Sequence, residues 1–168
     1  RSSVGWYGEF GNPPGKFEVT GNPRFDAFTN WKPPLSRQEL CSRLNLDENK
    51  EIILFVTQQI NEFSSFWPKD LFWVITDRLL EAMRLFPDKQ LVIKADPYED
   101  LTPYKKRIDA KRCGNAVAVR DTDIYTLLYL SKVVITQDST AGLEAMIFNK
   151  PLITINLTKR QDRVPYAE

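Results

Sequence analysis

Short apolar runs alternate along this chain with amphipathic stretches, and that alternation constrains the fold more than any other feature. The runs are Phe17–Thr20, Ile52–Thr57, Leu91–Ala95, Ala116–Val119, Val133–Thr136 and Leu152–Asn156. Several are apolar at successive positions, as in Val133-Val134-Ile135. A strand wet on one side alternates apolar and polar residues, whereas consecutive β-branched residues suit a strand buried on both faces of a parallel sheet. Parallel neighbours need crossover connections, and the amphipathic stretches supply them as helices. The expected architecture is α/β: a Rossmann-like, doubly wound parallel sheet of about six strands in three α/β/α layers.

The intervening stretches carry helix signals with a physical basis. Ser36-Arg37-Gln38-Glu39 is a capping box, and Leu35 with Leu40 can form its hydrophobic staple. Pro68 suits the first position of a helix over Lys69–Phe86, where Leu71, Ile75, Leu79, Met83 and Phe86 recur at helical spacing. Ile124, Leu127 and Leu128 mark one face of a short helix. Ala141–Phe148 follows the fifth strand, with Pro151 beyond it. Pro103–Arg112 reads as a helix with a basic outer face. Residues 1–15 hold four of the seven glycines together with Pro13 and Pro14, the composition of a linker or N-terminal extension. Residues 16–168 read as one domain, and the chain is expected to be a piece of a longer protein with a domain before it.

Composition removes several function classes. Histidine is absent, which excludes Ser-His-Asp hydrolysis, Cys-His proteolysis and zinc sites built on imidazole. Cys41 and Cys113 are the only cysteines, too few for a four-thiolate metal site; free thiols in a reducing cytoplasm are the expectation. A net charge of +1 gives no bulk attraction to nucleic acid. No apolar run approaches the roughly 18 residues of a membrane helix. Lys105-Lys106-Arg107 with Lys111-Arg112 is the candidate for peripheral membrane contact at the inner face, through acidic lipid or a polyanionic acceptor. Asp109 interrupts that cluster, and a solvated helix face is the simpler reading. The dense group Phe63, Phe66, Trp67, Phe72 and Trp73 reads mainly as core, its first part as a loop contacting an acceptor or another domain.

Ligands of doubly wound sheets bind outside the carboxyl ends of the strands. The residues there are Gly21, Asn22 and Arg24, then Gln58, Asp96, Arg120, and finally Gln137-Asp138-Ser139-Thr140-Ala141-Gly142. Polar turns are ordinary and explain most of these singly. The last is different, because a buried strand enters a helix whose first turn carries only small side chains. Uncovered N–H groups at that helix start would suit a phosphate or diphosphate, with hydroxyls from Ser139 and Thr140. Asp138 or Ser139 serves equally as an N-cap. Gly142 within a helix costs about 1 kcal/mol relative to Ala, which a close approach would explain. Glu144, one turn on, is either a solvent-exposed helix residue or an acceptor for ribose or sugar hydroxyls.

These segments carry a resemblance. Val19-Thr20-Gly21-Asn22-Pro23-Arg24-Phe25-Asp26 resembles the opening of the C-terminal domain of two-domain glycosyltransferases of the GT-B fold. Asp123-Ile124-Tyr125, Ser131–Thr136, Asp138–Ala145 and Asn149-Lys150-Pro151-Leu152-Ile153 are similar to the donor-site segment of that superfamily. The nearest relatives are capsular and surface polysaccharide glycosyltransferases; UDP-N-acetylglucosamine 2-epimerases share the architecture. The resemblance implies a nucleotide-diphosphate sugar held as donor substrate, with no further cofactor and no metal ligand set. Ser139, Thr140, Ala141 and Gly142 would meet the diphosphate and Glu144 the ribose or sugar. Gly21, Asn22 and Arg24 would line the cleft from the first turn, and the polysaccharide or glycolipid acceptor would lie against the missing N-terminal domain. The family often has Lys-x-His-Pro after the third strand, where this chain has Lys94-Ala95-Asp96-Pro97. An ionised Asp96 repels a diphosphate unless Lys94 or a metal compensates. That departure keeps a non-catalytic nucleotide-sugar-binding module open beside the transferase. An epimerase-like enzyme is the third reading, and it lacks the histidine expected in its cleft.

Overall fold

The computed structural model describes residues 22–28, 30–58, 69–137 and 139–156. Its helices are α1 (Pro23–Asp26), α2 (Arg37–Leu44), α3 (Lys69–Met83), α4 (Thr102–Ala110), α5 (Ile124–Leu130) and α6 (Ala141–Ile147). Its strands are β1 (Glu51–Val56), β2 (Lys89–Lys94), β3 (Ala116–Val119), β4 (Val133–Thr136) and β5 (Leu152–Thr154). They form one five-stranded sheet in the order β3-β2-β1-β4-β5, parallel at every pairing. Five strands stand where about six were expected; the sixth run, Phe17–Thr20, lies outside the described residues, as do residues 1–15 and Phe63–Pro68.

Side-chain alternation sends β1 to β4 into two cores. Ile52, Leu54 and Val56 of β1, with Val92 and Val134, join Leu40, Cys41, Leu127, Leu128, Ala141 and Ala145 under α2, α5 and α6. Phe55, Leu91, Ile93 and Ile135 join Phe72, Ile75, Leu80, Met83 and Tyr104 under α3 and α4. Both faces of β1 to β4 are therefore dry, which is why those runs are apolar at successive positions, whereas Ile153 of the edge strand β5 is half-exposed. Cys41 and Cys113 fall in opposite cores as free, buried thiols, and burial pushes both upward in pKa.

The capping box forms as expected. Ser36 N–H donates to Glu39 Oε2 at 2.8 Å and Glu39 N–H to Ser36 Oγ at 3.2 Å, with Leu40 buried and Leu35 packed on the same core. Helix α3 ends at Met83 rather than Phe86. Arg84, Leu85 and Phe86 N–H groups turn to carbonyls three residues back, at 2.9–3.2 Å, and Pro87 cannot continue a helix. Phe86 is accordingly exposed, and the buried stripe is Phe72, Ile75, Thr76, Leu80 and Met83.

The basic cluster is partly consumed internally. Arg107 binds Asp77 at 2.7 Å with its guanidinium carbon 4.4 Å from the Trp73 ring centroid, and Lys111 binds Glu81 at 2.6 Å. Only Lys105, Lys106 and Arg112 of the five remain exposed. No helix among the described residues is long and apolar enough to cross a membrane.

Five rings distant in sequence meet on the α5/α6 side. Phe28 lies 4.7 Å from Tyr125 and 5.2 Å from Phe148, and Trp31 lies 5.4 Å from Phe148 and 5.9 Å from Tyr129. They pin the segment that carries α1 onto the two helices that start at the carboxyl rim of the sheet.

Candidate functional site at the strand-order reversal

The chain adds β2 and β3 to one side of β1, then crosses over and adds β4 and β5 to the other. The direction of winding reverses between β1 and β4, and in doubly wound sheets the carboxyl ends of the strands at such a reversal are where a ligand crevice forms. Gln58 leaves β1 at that point; Gln137, Ser139 and Thr140 leave β4. Gln137 is only 3% exposed, and its Nε2 is the one buried side-chain nitrogen or oxygen among the described residues without a hydrogen-bond partner. Thr140 is exposed and its side chain makes no cap hydrogen bond.

The start of α6 differs from the expectation of uncovered amides. Ser139 Oγ accepts from Ala141 N–H at 3.3 Å and Ser139 O from Gly142 N–H at 2.9 Å. Thr140 O accepts from Leu143 N–H at 3.0 Å and Glu144 N–H at 3.2 Å. Ser139 thus caps the turn, and the first-turn donors already have acceptors within the chain. Ala141 is packed in the core, so it offers no side chain to a ligand, and Gly142 is buried. Glu144 is also buried, at 5% exposure, and not solvent-facing; Tyr125 OH donates to its Oε1 at 3.3 Å. Gly21 and Asp138 lie outside the described residues. Asn22 and Arg24 are placed on the pinned segment, Asn22 just before α1 and Arg24 within it.

The remaining predicted residues spread along the rim. Asp96 follows β2, next to β1. Arg120 follows β3, the edge strand, two strand spacings or about 10 Å from β1, and pairs with its neighbour Asp121 at 3.2 Å. Gln58, Gln137, Ser139 and Thr140 therefore follow the two strands that flank the reversal, and Arg120 does not.

A group that the sequence reading did not single out joins the exits of β1 and β2. Glu99 Oε2 accepts from Thr57 Oγ1, from Asp96 N–H at 3.0 Å and from Tyr104 OH at 3.1 Å. Asp96 N–H also reaches Thr57 Oγ1 at 3.1 Å, and Asp96 Oδ1 accepts from Tyr98 N–H at 3.1 Å. Asp96 is thus held in its own turn. Its spacing to Glu99 is the capping-box spacing, a signal legible in Asp96-Pro97-Tyr98-Glu99. Burial pushes the Glu99 carboxyl up in pKa, against the three donors that lower it. Lys94, 7% exposed, donates to Ala95 O at 2.9 Å. Burial lowers its pKa, while Asp96, Asp121, Asp123 and Glu99 raise it. Asp123 is the N-cap of α5, accepting from Thr126 N–H and Oγ1, each at 2.7 Å. Among the described residues no three metal-ligating side chains cluster.

A concavity of about 360 Å³ lies at the opposite end of the sheet, lined by Leu44, Asp47, Lys50, Gln90, Asn115 and Val117 among others. Its amides are occupied: Gln90 Nε2 donates to Asp47 O and Lys50 O, and Asn115 Nδ2 to Met83, Phe86 and Lys89 carbonyls. These bonds tie the amino ends of β1, β2 and β3 together, a structural duty.

Solved structures share the fold. The UDP-GlcNAc 2-epimerase of Neisseria meningitidis bound to UDP-GlcNAc superposes with a TM-score of 0.67 at 20% identity, over 96% of this chain and 43% of that one. MnaA of S. aureus, in a co-structure with UDP, gives 0.65 at 16% identity, over 95% and 41%. The chain thus spans about two fifths of the length of these proteins. A search of curated proteins finds no match. A family model described as capsule polysaccharide biosynthesis protein matches residues 35–157, the stretch that contains every described strand and the crevice; the chain belongs to the capsule polysaccharide biosynthesis family.

Proposed function

We propose that the chain is the donor-binding unit of a GT-B-type glycosyltransferase in capsule polysaccharide synthesis, holding a nucleotide sugar in the β1/β4 crevice. The observation that carries this reading is the reversal of winding between β1 and β4, with Gln58, Gln137, Ser139 and Thr140 at the opening. Family membership supplies the saccharide context. The structural relatives were solved with UDP-GlcNAc and UDP, which supports a nucleotide-sugar ligand by analogy of fold. The exposed Thr140 hydroxyl would donate to phosphate oxygens as charge grows on the leaving group. The buried Glu144 would accept sugar or ribose hydroxyls if Tyr125 shares it. Transfer breaks the bond between the anomeric carbon and the phosphate oxygen and forms one to an acceptor hydroxyl. None of these residues is assigned to deprotonate that acceptor.

A second reading, a nucleotide-sugar-binding module without transfer activity, is favoured by Asp96 and the further carboxylates about Lys94. Calorimetric titration with a panel of nucleotides and nucleotide sugars tests donor binding. Binding of one nucleotide sugar that Thr140→Trp abolishes supports it; a folded chain that binds none at millimolar concentration refutes it. Sugar transfer by the complete polypeptide would then exclude the module reading.

A further inference from the structure

The Glu99 carboxylate is unevenly used. Oε2 takes three donors, from Thr57, Asp96 and Tyr104, which come from the exits of β1 and β2 and from α4. Oε1 has no hydrogen-bond partner among the described residues. Tyr104 is buried and Thr57 is buried, so the clamp around Oε2 is rigid, while Glu99 itself is only half-buried. A carboxylate needs only part of that support to hold a turn. Three donors on one oxygen fix the plane of the group and leave the second oxygen as a preorganised acceptor. Because Thr57 directly follows β1, the clasp ties Glu99 to the exit of one of the two strands that flank the reversal. An acceptor-only oxygen repels phosphate and favours a hydroxyl donor.

We propose that Glu99 Oε1 accepts a hydrogen bond from a hydroxyl of the sugar moiety of the bound donor, making Glu99 a sugar-recognition residue and not merely a clasp of the β2 turn. This rests on the donor-binding reading above. The phosphates sit toward Thr140 on the β4 side, and the sugar reaches across β1 to Glu99.

Glu99→Gln separates the two roles. The three donors select the amide oxygen for the Oε2 position, which preserves the clasp and places an N–H₂ where Oε1 was. The acceptor becomes a donor with little change of shape. Tyr104→Phe does the reverse, loosening the clamp while keeping Oε1. Calorimetry on the full chain would compare UDP, GDP and CMP with UDP-N-acetylglucosamine, GDP-mannose and CMP-N-acetylneuraminate. For the pair that binds, E99Q is expected to weaken the nucleotide sugar about 10-fold or more and to leave the bare nucleotide within about 2-fold, since hydrogen bonds to charged groups are the strong ones. Y104F is expected to give a smaller loss with the same selectivity. Equal weakening of both ligands, or no change in either, overturns the Glu99 assignment and leaves the donor site standing. Failure of the wild-type chain to bind any of the six overturns both.

Discussion

Replacing Gln137 with Met removes the one described buried side-chain donor that lacks an acceptor, at nearly constant volume and chain length. The residue is 3% exposed, and its Nε2 has no hydrogen-bond partner among the described residues. An unsatisfied buried polar group costs about 1–3 kcal/mol. A thioether in the same space carries no such penalty, and shape-preserving exchanges usually cost less than about 1.5 kcal/mol through repacking. The net expectation is a chain more stable by about 1 kcal/mol, or about 2–4 °C in Tm for a domain of this size. Urea unfolding followed by circular dichroism reads the change, with an unaltered m-value showing that the unfolded reference has not moved. The same variant is expected to bind nucleotide sugar less well, because a donor at the crevice has been removed. A loss of stability at constant m would show that the amide is satisfied, and the argument for its retention at the crevice would fall.

Three further expectations follow from the packing and the charges. Leu54→Ala opens a void at the centre of the sheet, where Leu54 is fully buried, and should cost about 2–5 kcal/mol in a urea melt. Ser36→Ala breaks the capping box of α2 and should cost about 1 kcal/mol, with Ser36→Asn restoring most of it. Glu99 has a pKa raised above the unfolded 4.5, so between 4.5 and its folded value the native state binds more protons than the unfolded one. Its contribution to stability is therefore lost as pH rises through that window. The stability of E99Q relative to wild type should increase from pH 4.5 upward and level off beyond the folded pKa; an opposite slope in paired melts would contradict the assignment.

The periodic features were legible in the sequence because they follow from local geometry. Consecutive β-branched residues such as Val133-Val134-Ile135 imply two buried faces, and Ser36 with Glu39 implies a cap, whatever lies elsewhere in the chain. The strand exits were legible for the same reason, so Gln58, Gln137, Ser139 and Thr140 could be named as residues that follow strands. The cleft itself depends on strand order. Nothing local in Arg120 says that β3 lies at an edge, away from the reversal. Hydrogen-bond competition was equally hidden: the small residues after β4 suggested open amides, but Ser139 and Thr140 turn back and occupy them. The ring cluster of Phe28, Trp31, Tyr125, Tyr129 and Phe148 joins segments about a hundred residues apart and has no periodic signature. Likewise Arg107 and Lys111 looked like a surface stripe because their partners, Asp77 and Glu81, belong to another helix.

The most direct test of where the ligand sits is a nitrogen-15 correlation spectrum of the chain, recorded while the nucleotide sugar that binds is titrated in. Perturbed backbone and side-chain amides should cluster at Gln58, Gln137, Ser139 and Thr140, with Asp96 and Glu99 affected by the sugar nucleotide more than by the bare nucleotide. Perturbations centred instead on Lys50, Gln90 and Asn115, at the amino ends of the strands, would contradict the placement of the site at the β1/β4 reversal.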